Sequence, residues 1–271
     1  MSGELELASA TTHRFISPHY DDIALSCGGL TARVAALRMT PRVAVVFGQE
    51  PEADRRLSTF AEAMHDGWGL GATEVIASRR AEEAVAARVL GAATELLPFR
   101  DSIYRGDRYT DDDLLFSAPA VDEAGLSAEI VASLDLKTPP RPAVRFYVPL
   151  AVGGHVDHRH AYDAGVLLAR AGWDVWFYED LPYALRPRAL EHRLAALAAE
   201  TPMQPGPTVP IGPYWDAKIE AILAYPSQLE TIFRHYVGVG TSRGEIEAAL
   251  RDYAERIGDG EAAERFWRLA E

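Results

Sequence analysis

The chain has almost no cysteine and no long apolar segment. A single cysteine, Cys27, stands among 271 residues, so an intrachain disulfide and a cysteine-rich zinc site are both excluded. Its apolar runs stay well short of the roughly 18 residues that cross a bilayer. The opening residues MSGELELASATTHRF lack the basic and apolar regions of a signal peptide. We therefore expect a soluble, cytoplasmic protein.

Basic residues are also scarce relative to acidic ones. Lys and Arg number 27 against 40 Asp and Glu, which gives a formal net charge of -13. Nucleic-acid binders usually concentrate basic residues on one surface, so a nucleic-acid partner is not expected. A hydrophobic content of 48% is ordinary for a globular enzyme, and a chain of this length can bury a large core. The composition is that of a soluble globular enzyme, and it argues against a polyanion as the main partner.

Short strand-like segments alternate with helical patterns over the first two thirds of the chain. The strand-like segments are RFISP (14–18), RVAVVFG (42–48), EVIAS (74–78), ATELLPF (93–99), VRFYVPL (144–150) and DVWFYEDLPY (174–183). The helical patterns are GGLTARVAALR (28–38), RRLSTFAEAMHDGWGLG (55–71), RRAEEAVAARVLG (79–91), a segment around 123–134 and one that starts in GGHVDHRH. This alternation predicts an α/β fold, a Rossmann-like and mostly parallel sheet with helices on both faces.

The remaining segments predict a loop and a helical end. The polar stretch from Arg100 to Asp113 is typical of a surface loop. The last third of the chain has helical patterns that are interrupted by the proline-rich TPMQPGPTVPIGP. We expect a helical cap over about residues 186–271, within a single domain that spans residues 1–271.

Two polar motifs follow two of the predicted strands. SPHYDD (17–22) comes at the end of the first strand, and GGHVDHRH (153–160) follows VRFYVPL. Ligands of such sheets bind outside the carboxyl ends of the strands, so the two motifs are expected to meet in one crevice. The side chains that this brings together are His19, Asp21, Asp22, His155, Asp157 and His158.

This set of side chains suits a divalent metal ion. Imidazole and carboxylate groups bind Zn²⁺, and a catalytic zinc takes three protein ligands and a water, whose pKa falls to about 7. The adjacent carboxylates of Asp21 and Asp22 repel each other, and a cation between the motifs would make them tolerable. Each motif alone also fits a capped helix start, and it is their joint occurrence that favours a metal site.

The two motifs resemble those of the PIG-L/LmbE family of zinc-dependent N-deacetylases. The family carries P-H-x-D-D after its first strand and H-x-D-H after a later one. The resemblance implies that zinc is held by His19, Asp22 and His158. It also implies that Asp21 is the general base, and that His155 stabilises the oxyanion or protonates the leaving amine. Asp157 would then orient His155 through a hydrogen bond.

Weaker similarity extends beyond the two motifs. RRAEEAVAARVLG followed by LLPFRDS resembles the family's R-x-x-E…L-G…D-S segment, which implies that Arg79 and Asp101 bind sugar hydroxyls. The alternative for each is an ordinary charged residue at a helix start. The chain departs from the common P-D-D-E motif, because Tyr20 precedes the acidic pair and Ile23 follows it. The resemblance does not say what either residue contacts.

The resemblance implies a metal-dependent hydrolase that removes an N-acetyl group from an N-acetylglucosaminyl-type glycoconjugate. A thiol-cofactor precursor and a glycopeptide antibiotic intermediate are the substrates considered. The alternatives are a long-acyl amide hydrolase of the same chemistry, or a non-catalytic metal-binding or nucleotide-binding α/β module. Zn²⁺ is the expected cofactor, although the same ligands suit other divalent transition metals. Relatives often assemble, which leaves a homo-oligomer open.

Overall fold

A single mixed sheet organises the chain. The computed structural model describes residues 7, 10, 12–51, 56–68, 75–136 and 143–270. Within these ranges the strands are β1 (Thr12–Ser17), β2 (Arg42–Val45), β3 (Ala93–Leu96), β4 (Val144–Pro149), β5 (Asp174–Tyr178), β6 (Met203–Pro210) and β7 (Ala263–Leu269). The sheet order is β3-β2-β1-β4-β5-β7-β6.

The topology places both polar motifs at one crevice. The pairs β2–β3, β1–β2, β1–β4 and β4–β5 are parallel. Strand β7 is antiparallel to both of its neighbours, β5 and β6. The strand order reverses where β1 lies between β2 and β4. Ligands bind at such a switch point in open α/β sheets. The carboxyl ends of β1 and β4, which carry the two motifs, are therefore adjacent, and the predicted fold class is confirmed.

Nine α-helices are described between the strands and after them. They are α1 (Asp22–Ala36), α2 (Thr59–Gly67), α3 (Val75–Leu90), α4 (Asp112–Leu115), α5 (Leu126–Ser133), α6 (Val156–Arg170), α7 (Ala189–Leu197), α8 (Trp215–Leu223) and α9 (Arg243–Ile257). Helices α1, α3 and α8 pack together, and α5 packs against α6. No helix among the described residues has the length and apolar character needed to cross a membrane.

The core lies along the central strands. Phe15 and Ile16 of β1 are buried, as are residues 146–148 of β4 and residues 175–178 of β5. These runs are continuously apolar because helices cover both faces of the parallel part of the sheet. The rigid strands hold the ends of β1 and β4 in a fixed register, in which Phe15 pairs with Tyr147.

The predicted strand EVIAS is wrong, because its described residues belong to a helix. Residues 75–78 form the first turn of α3, and Glu74 lies outside the described residues. A short apolar run does not distinguish a strand from a helix start. The alanine-rich sequence that follows continues the helix to Leu90, and Gly91 ends it with a φ of +67°.

The predicted surface loop from Arg100 to Asp113 is partly buried, with residues 101–104 and 109 inside and five of the others exposed. Ile103 is 4% exposed and Tyr109 is 2% exposed, and a short 3₁₀ turn spans Ser102–Tyr104. The segment lies across the edge of the sheet at which the motifs meet, and Ser102 contacts the second motif. Asp101 and Arg105 of this segment therefore contact the site, whereas the polar side chains from Asp107 onward are mostly exposed.

The helical C-terminal segment also contains two strands that the sequence interpretation missed. Strand β6 runs through the proline-rich stretch, and β7 follows α9. Proline cannot donate to a ladder, so it is tolerated mainly in edge strands, and β6 is the edge of the sheet. The three prolines at 205, 207 and 210 therefore mark an edge strand and not a break in the structure.

Candidate metal centre and catalytic pocket

The loop after β1 is fixed by hydrogen bonds between its side chains and its own backbone. The Ser17 hydroxyl donates to the carbonyl oxygen of His19 at 2.5 Å, and the His19 amide donates to Asp22 Oδ2 at 2.7 Å. Helix α1 begins at Asp22, and the amide of Leu25 donates to the carbonyl of Asp21. Local hydrogen bonds thus turn His19 and Asp22 toward each other, which explains why the motif directly follows the strand.

The loop after β4 turns through two glycines. Gly153 and Gly154 have φ values of +91° and +86°, a conformation that side chains other than glycine rarely adopt. His155 then forms the N-cap of α6, and its Nδ1 accepts a hydrogen bond from the amide of Asp157 at 3.2 Å. His158 lies in the first turn of α6 and is almost fully buried.

The two histidines present ring nitrogens to one carboxylate. His19 Nδ1 lies 3.5 Å from Asp22 Oδ2, and His158 Nε2 lies 3.4 Å from Asp22 Oδ1. A nitrogen lone pair and a carboxylate oxygen repel each other unless a proton or a cation lies between them. Ligand atoms from all three residues are within 4.8 Å of one another. The donor set of two imidazoles and one carboxylate fits a divalent transition metal.

Two further carboxylates hold the opposite ring nitrogens. Asp157 Oδ2 lies 3.0 Å from His19 Nε2, and Asp180 Oδ1 lies 2.7 Å from His158 Nδ1. Each carboxylate accepts an N–H from its histidine, which leaves the other ring nitrogen as a lone-pair donor facing Asp22. Metal-binding histidines are commonly fixed in this way. The arrangement is therefore the one expected if both histidines bind a metal ion.

The site attracts positive charge. Burial alone lowers the pKa of His158, but the charges of Asp22 and Asp180 raise it above its ordinary value. Burial raises the pKa of Asp22, yet the neighbouring His158 and His19 hold it well below its usual range. The same negative field would attract a metal cation, which has to displace the histidine proton in order to bind.

The charge balance around the site is negative. The buried carboxylates near the site are those of Asp21, Asp22, Asp101, Asp157 and Asp180. Two guanidinium groups face them, since Arg79 lies between Asp21 and Asp101 and Arg105 pairs with Asp157. With neutral histidines, these carboxylates outnumber the two guanidinium groups, and Arg105 is in addition shared with the buried carboxylate of Glu123. Buried charges without partners are costly, and a divalent cation would offset most of the excess.

A second group of potential ligands shares His19. It contains His19, His155 and Asp157, whose ligand atoms also lie within 4.8 Å of one another. The Asp157 oxygens are already engaged, because Oδ1 accepts from Arg105 at 2.6 Å and Oδ2 accepts from the Ser102 amide at 3.0 Å. Asp22 has no guanidinium partner among the described residues. The group around Asp22 therefore fits a metal better.

Asp21 lies beside Arg79 on the cavity side of the site. Burial raises the pKa of Asp21, although the Arg79 charge lowers it in part. Arg79 Nη2 is 3.9 Å from Asp21, and Arg79 Nη1 is 3.9 Å from Asp101. The guanidinium lies against the rings of Tyr20 and Trp68, at 5.3 and 5.2 Å from their centroids. These aromatic contacts position the arginine between the two carboxylates.

His155 faces the same cavity in a neutral form. Burial and the positive field of His19 lower its pKa well below the ordinary value. Its Nδ1 accepts the amide proton of Asp157, so the neutral ring carries its proton on Nε2. The hydrogen bond that the sequence predicted from the Asp157 carboxylate to His155 is thus made by the backbone. The carboxylate itself contacts His19 and Arg105.

A cavity opens in front of these groups. It is lined by the site residues His19, Asp21, Asp22, Arg79, Asp101 and His155. Tyr183 and Tyr236 also line it, with ring centroids 5.9 Å apart, and the Phe116 ring packs 5.4 Å from that of Tyr236. A π-helical turn at Glu230–His235 carries the chain to Tyr236, and such turns are frequent at functional sites. Six of the eight residues that the sequence predicted for the site therefore line one pocket. The other two, Asp157 and His158, do not line it but contact His19 and Asp22, respectively.

Several residues of the site were not identified from the sequence. Asp180, Arg105 and Gln228 contact or line it, and the only sequence signal for Asp180 was its place after β5. Tyr20, whose role the sequence left open, donates its hydroxyl to the Gly48 carbonyl at 2.5 Å. Ile23 is part of the buried core.

The comparisons place the chain among the N-deacetylases, and its α/β fold agrees with that class. The family model PIG-L, described as GlcNAc-PI de-N-acetylase, matches residues 14–169, which contain both motifs. The chain belongs to this family.

Characterised relatives refine the comparison. A 2'-N-acetylparomamine deacetylase of Streptomyces fradiae is 31% identical over 217 residues, which are 79% of this chain and 72% of that protein. A 2'-N-acetylparomamine deacetylase of Niallia circulans is 30% identical over 183 residues, 62% of this chain and 66% of that protein. The solved structure of A40926 pseudoaglycone deacetylase superimposes with a TM-score of 0.72 at 26% identity, covering 96% of this chain and 97% of that chain.

Proposed function

We propose that the protein is a zinc-dependent N-deacetylase that acts on an N-acetylglucosaminyl unit of an antibiotic intermediate. The observation that carries the proposal is the arrangement of His19 and His158, each with one ring nitrogen on a carboxylate and the other facing Asp22. Family membership supports N-deacetylation as the reaction. When bound by these three residues, a divalent cation would polarise the acetyl carbonyl and acidify a water molecule.

Asp21 is the proposed general base. It lines the cavity, and burial raises its pKa, which favours proton uptake by this carboxylate at neutral pH. Asp22 cannot serve this role while both of its oxygens face histidines. Asp21 accepts the proton of the attacking water, and it can return that proton to the leaving amine.

His155 is proposed to stabilise the oxyanion. Its neutral ring carries a proton on Nε2 and lines the cavity, so it can donate a hydrogen bond to the carbonyl oxygen as negative charge develops. Loss of one such donor typically costs about 10²- to 10³-fold in rate. We propose that Asp157 acts on this chemistry indirectly, through His19 and through the backbone turn that presents His155.

Arg79 and Asp101 are proposed to bind hydroxyl groups of the sugar. Both line the cavity, and they face each other at 3.9 Å, long for a direct hydrogen bond. Arg79 Nε is buried and has no hydrogen-bond partner among the described residues. A sugar hydroxyl between the two groups would satisfy both. The aromatic rings of Tyr183 and Tyr236, which line the cavity, would then contact the rest of the conjugate.

The relatives suggest which conjugates to test first. The two curated relatives are named for 2'-N-acetylparomamine, and the solved relative for a glycopeptide pseudoaglycone. We propose a substrate of this kind, in which a larger antibiotic scaffold carries the acetylated amino sugar. A long-acyl amide is the second candidate, because the apolar residues Leu115, Leu181 and Ile232 also line the cavity.

The experiment is a free-amine assay on purified protein of known metal content. The panel contains 2'-N-acetylparomamine, an N-acetylglucosaminyl glycopeptide pseudoaglycone, diacetylchitobiose and a long-acyl analogue. Asp21→Asn should retain the metal and lose about 10²- to 10⁴-fold in kcat, whereas His158→Ala should lose both metal and turnover. The matched control is Asp252→Asn, an exposed carboxylate on α9. Full turnover by Asp21→Asn would refute the assignment of the base, and metal without hydrolysis of any substrate would refute the function.

A further inference from the structure

A second cavity lies against the loop that follows β4. It has a volume of about 350 Å³ and lies between the glycine turn after β4 and the start of α7. Three arginines line it, namely Arg159, Arg186 and Arg193. The turn at Gly153 and Gly154 forms its floor, with the catalytic pocket on the far side of the following residue, His155. The two cavities share none of their lining residues.

Two of the arginines are held in place through their Nε atoms. Arg159 Nε donates to the Gly154 carbonyl at 2.8 Å, and Arg193 Nε donates to the Leu150 carbonyl at 2.8 Å. The Arg193 guanidinium also lies 4.6 Å from the centroid of the Tyr162 ring. Within the described part of the chain, the terminal nitrogens of both groups make no hydrogen bond. Both guanidinium groups are therefore fixed in position, and their terminal N–H groups are available to a ligand.

These positive charges have no acidic partner at contact distance. Among the described residues, no carboxylate lies within 4.0 Å of Arg159, Arg186 or Arg193. Asp163 acts on Arg159 and Arg193 only through its more distant charge. Burial lowers the pKa of Arg193, and the charge of Arg159 lowers it further. A cluster of like charges in a protein of net charge -13 is therefore left unpaired, although acidic residues are abundant.

We propose that this cavity binds a tetrahedral dianion, either free phosphate or sulfate or the phosphate group of a monoester. Guanidinium groups offer paired donors that match the oxygen atoms of such an anion. The positive charges of two or three guanidinium groups match the two negative charges of such an anion better than the single charge of a carboxylate ligand. The N-terminus of α7 borders the cavity through Ala189, and its partial positive charge adds to the attraction. The cavity is larger than the anion alone and has room for the organic part of a monoester.

The test measures binding to the full chain by calorimetry at constant ionic strength. The protein is first treated with a chelator, so that the anion cannot bind through a metal. Inorganic phosphate and glucose 6-phosphate are the probes. Arg186→Gln is the main variant, because the Arg186 side chain is exposed and makes no contact that folding needs, and Arg159→Gln is the second. Each should weaken binding about ten- to a hundredfold, as expected for loss of a hydrogen bond to a charged group.

The matched control is Arg88→Gln, an equally exposed arginine on α3, which should bind both probes as the wild type does. Tighter binding of glucose 6-phosphate would identify a monoester as the ligand, and equal or weaker binding would identify the free anion. The proposal is overturned if neither probe binds at 10 mM. It is also overturned if Arg186→Gln and Arg159→Gln bind with wild-type affinity, since the anion would then lie elsewhere.

Discussion

Asp180 offers a direct test of the proposed metal centre, because it contacts a proposed ligand without being one. Its Oδ1 accepts from His158 Nδ1 at 2.7 Å, and its Oδ2 accepts from the amide of Val152 at 2.9 Å. Both oxygens are therefore committed to N–H donors. Asp180→Asn keeps the shape of the side chain but replaces one acceptor with an NH₂ group. Either His158 or the Val152 amide must then face another donor.

The expected effect is a loss of metal affinity. Substitution of a carboxylate that orients a metal-binding histidine typically costs 10- to 100-fold in affinity. That range corresponds to about 1.4 to 2.7 kcal/mol. The cause is that His158 loses the contact that fixes its Nδ1 proton and keeps its Nε2 lone pair toward Asp22. Asp180 does not line the catalytic pocket, so kcat at saturating metal should stay near the wild-type value.

The assay is a competition titration against a chromophoric zinc chelator at pH 7, followed by turnover at increasing metal concentration. The matched control is Asp174→Asn at the other end of β5, whose carboxylate accepts from Arg145 at 2.7 Å. It should leave metal affinity unchanged. The reasoning fails if Asp180→Asn binds zinc as tightly as the wild type. It also fails if the loss of turnover is not restored by excess metal.

Two further predictions concern buried charges outside the pocket. Burial raises the pKa of Glu83 to about 7, so its stabilising contribution is full below about pH 4.5 and is lost as pH rises through 7. Urea unfolding at pH 5 and pH 8 should show the wild type losing roughly 2 to 3 kcal/mol relative to Glu83→Gln, and parallel pH profiles would contradict this. Lys218 Nζ lies 2.6 Å from Glu264 Oε1 with both side chains buried, so Lys218→Met should destabilise the fold by about 3 to 5 kcal/mol. The double variant Lys218→Met/Glu264→Gln should recover part of that loss in the same assay, and a cost below about 1 kcal/mol for the single variant would refute the argument.

The sequence predicted the site because its ligands come directly after two strands. Parallel strands that flank a switch point end at the same edge, so His19 and His158 were expected to meet although they lie far apart in the chain. The structure places both against Asp22. The same argument does not extend to Asp180. It follows β5 next to Glu179, and nothing in the sequence says which of the two acids faces the site.

The structure separates these two acids by the partners of their side chains. Both follow the last residue of β5, Tyr178. Asp180 reaches His158, whereas Glu179 accepts from Arg265 and Trp267 of the added strand β7. Because β7 and β6 were not predicted, the partners of Glu179 were not predicted either. Without β6 and β7, the sequence interpretation could not distinguish Asp180, which contacts the site, from Glu179, which contacts the sheet.

The adjacent carboxylates of the first motif have different surroundings because of where each lies relative to the start of α1. Asp22 begins the helix with its oxygens facing His19 and His158, which fits the proposed role of a metal ligand. Asp21 precedes the helix and lies on the cavity side beside Arg79, where burial raises its pKa. One carboxylate is thus held ionised and the other is prepared to accept a proton. Two identical side chains in sequence acquire different chemistry because the histidines face one of them and the arginine faces the other.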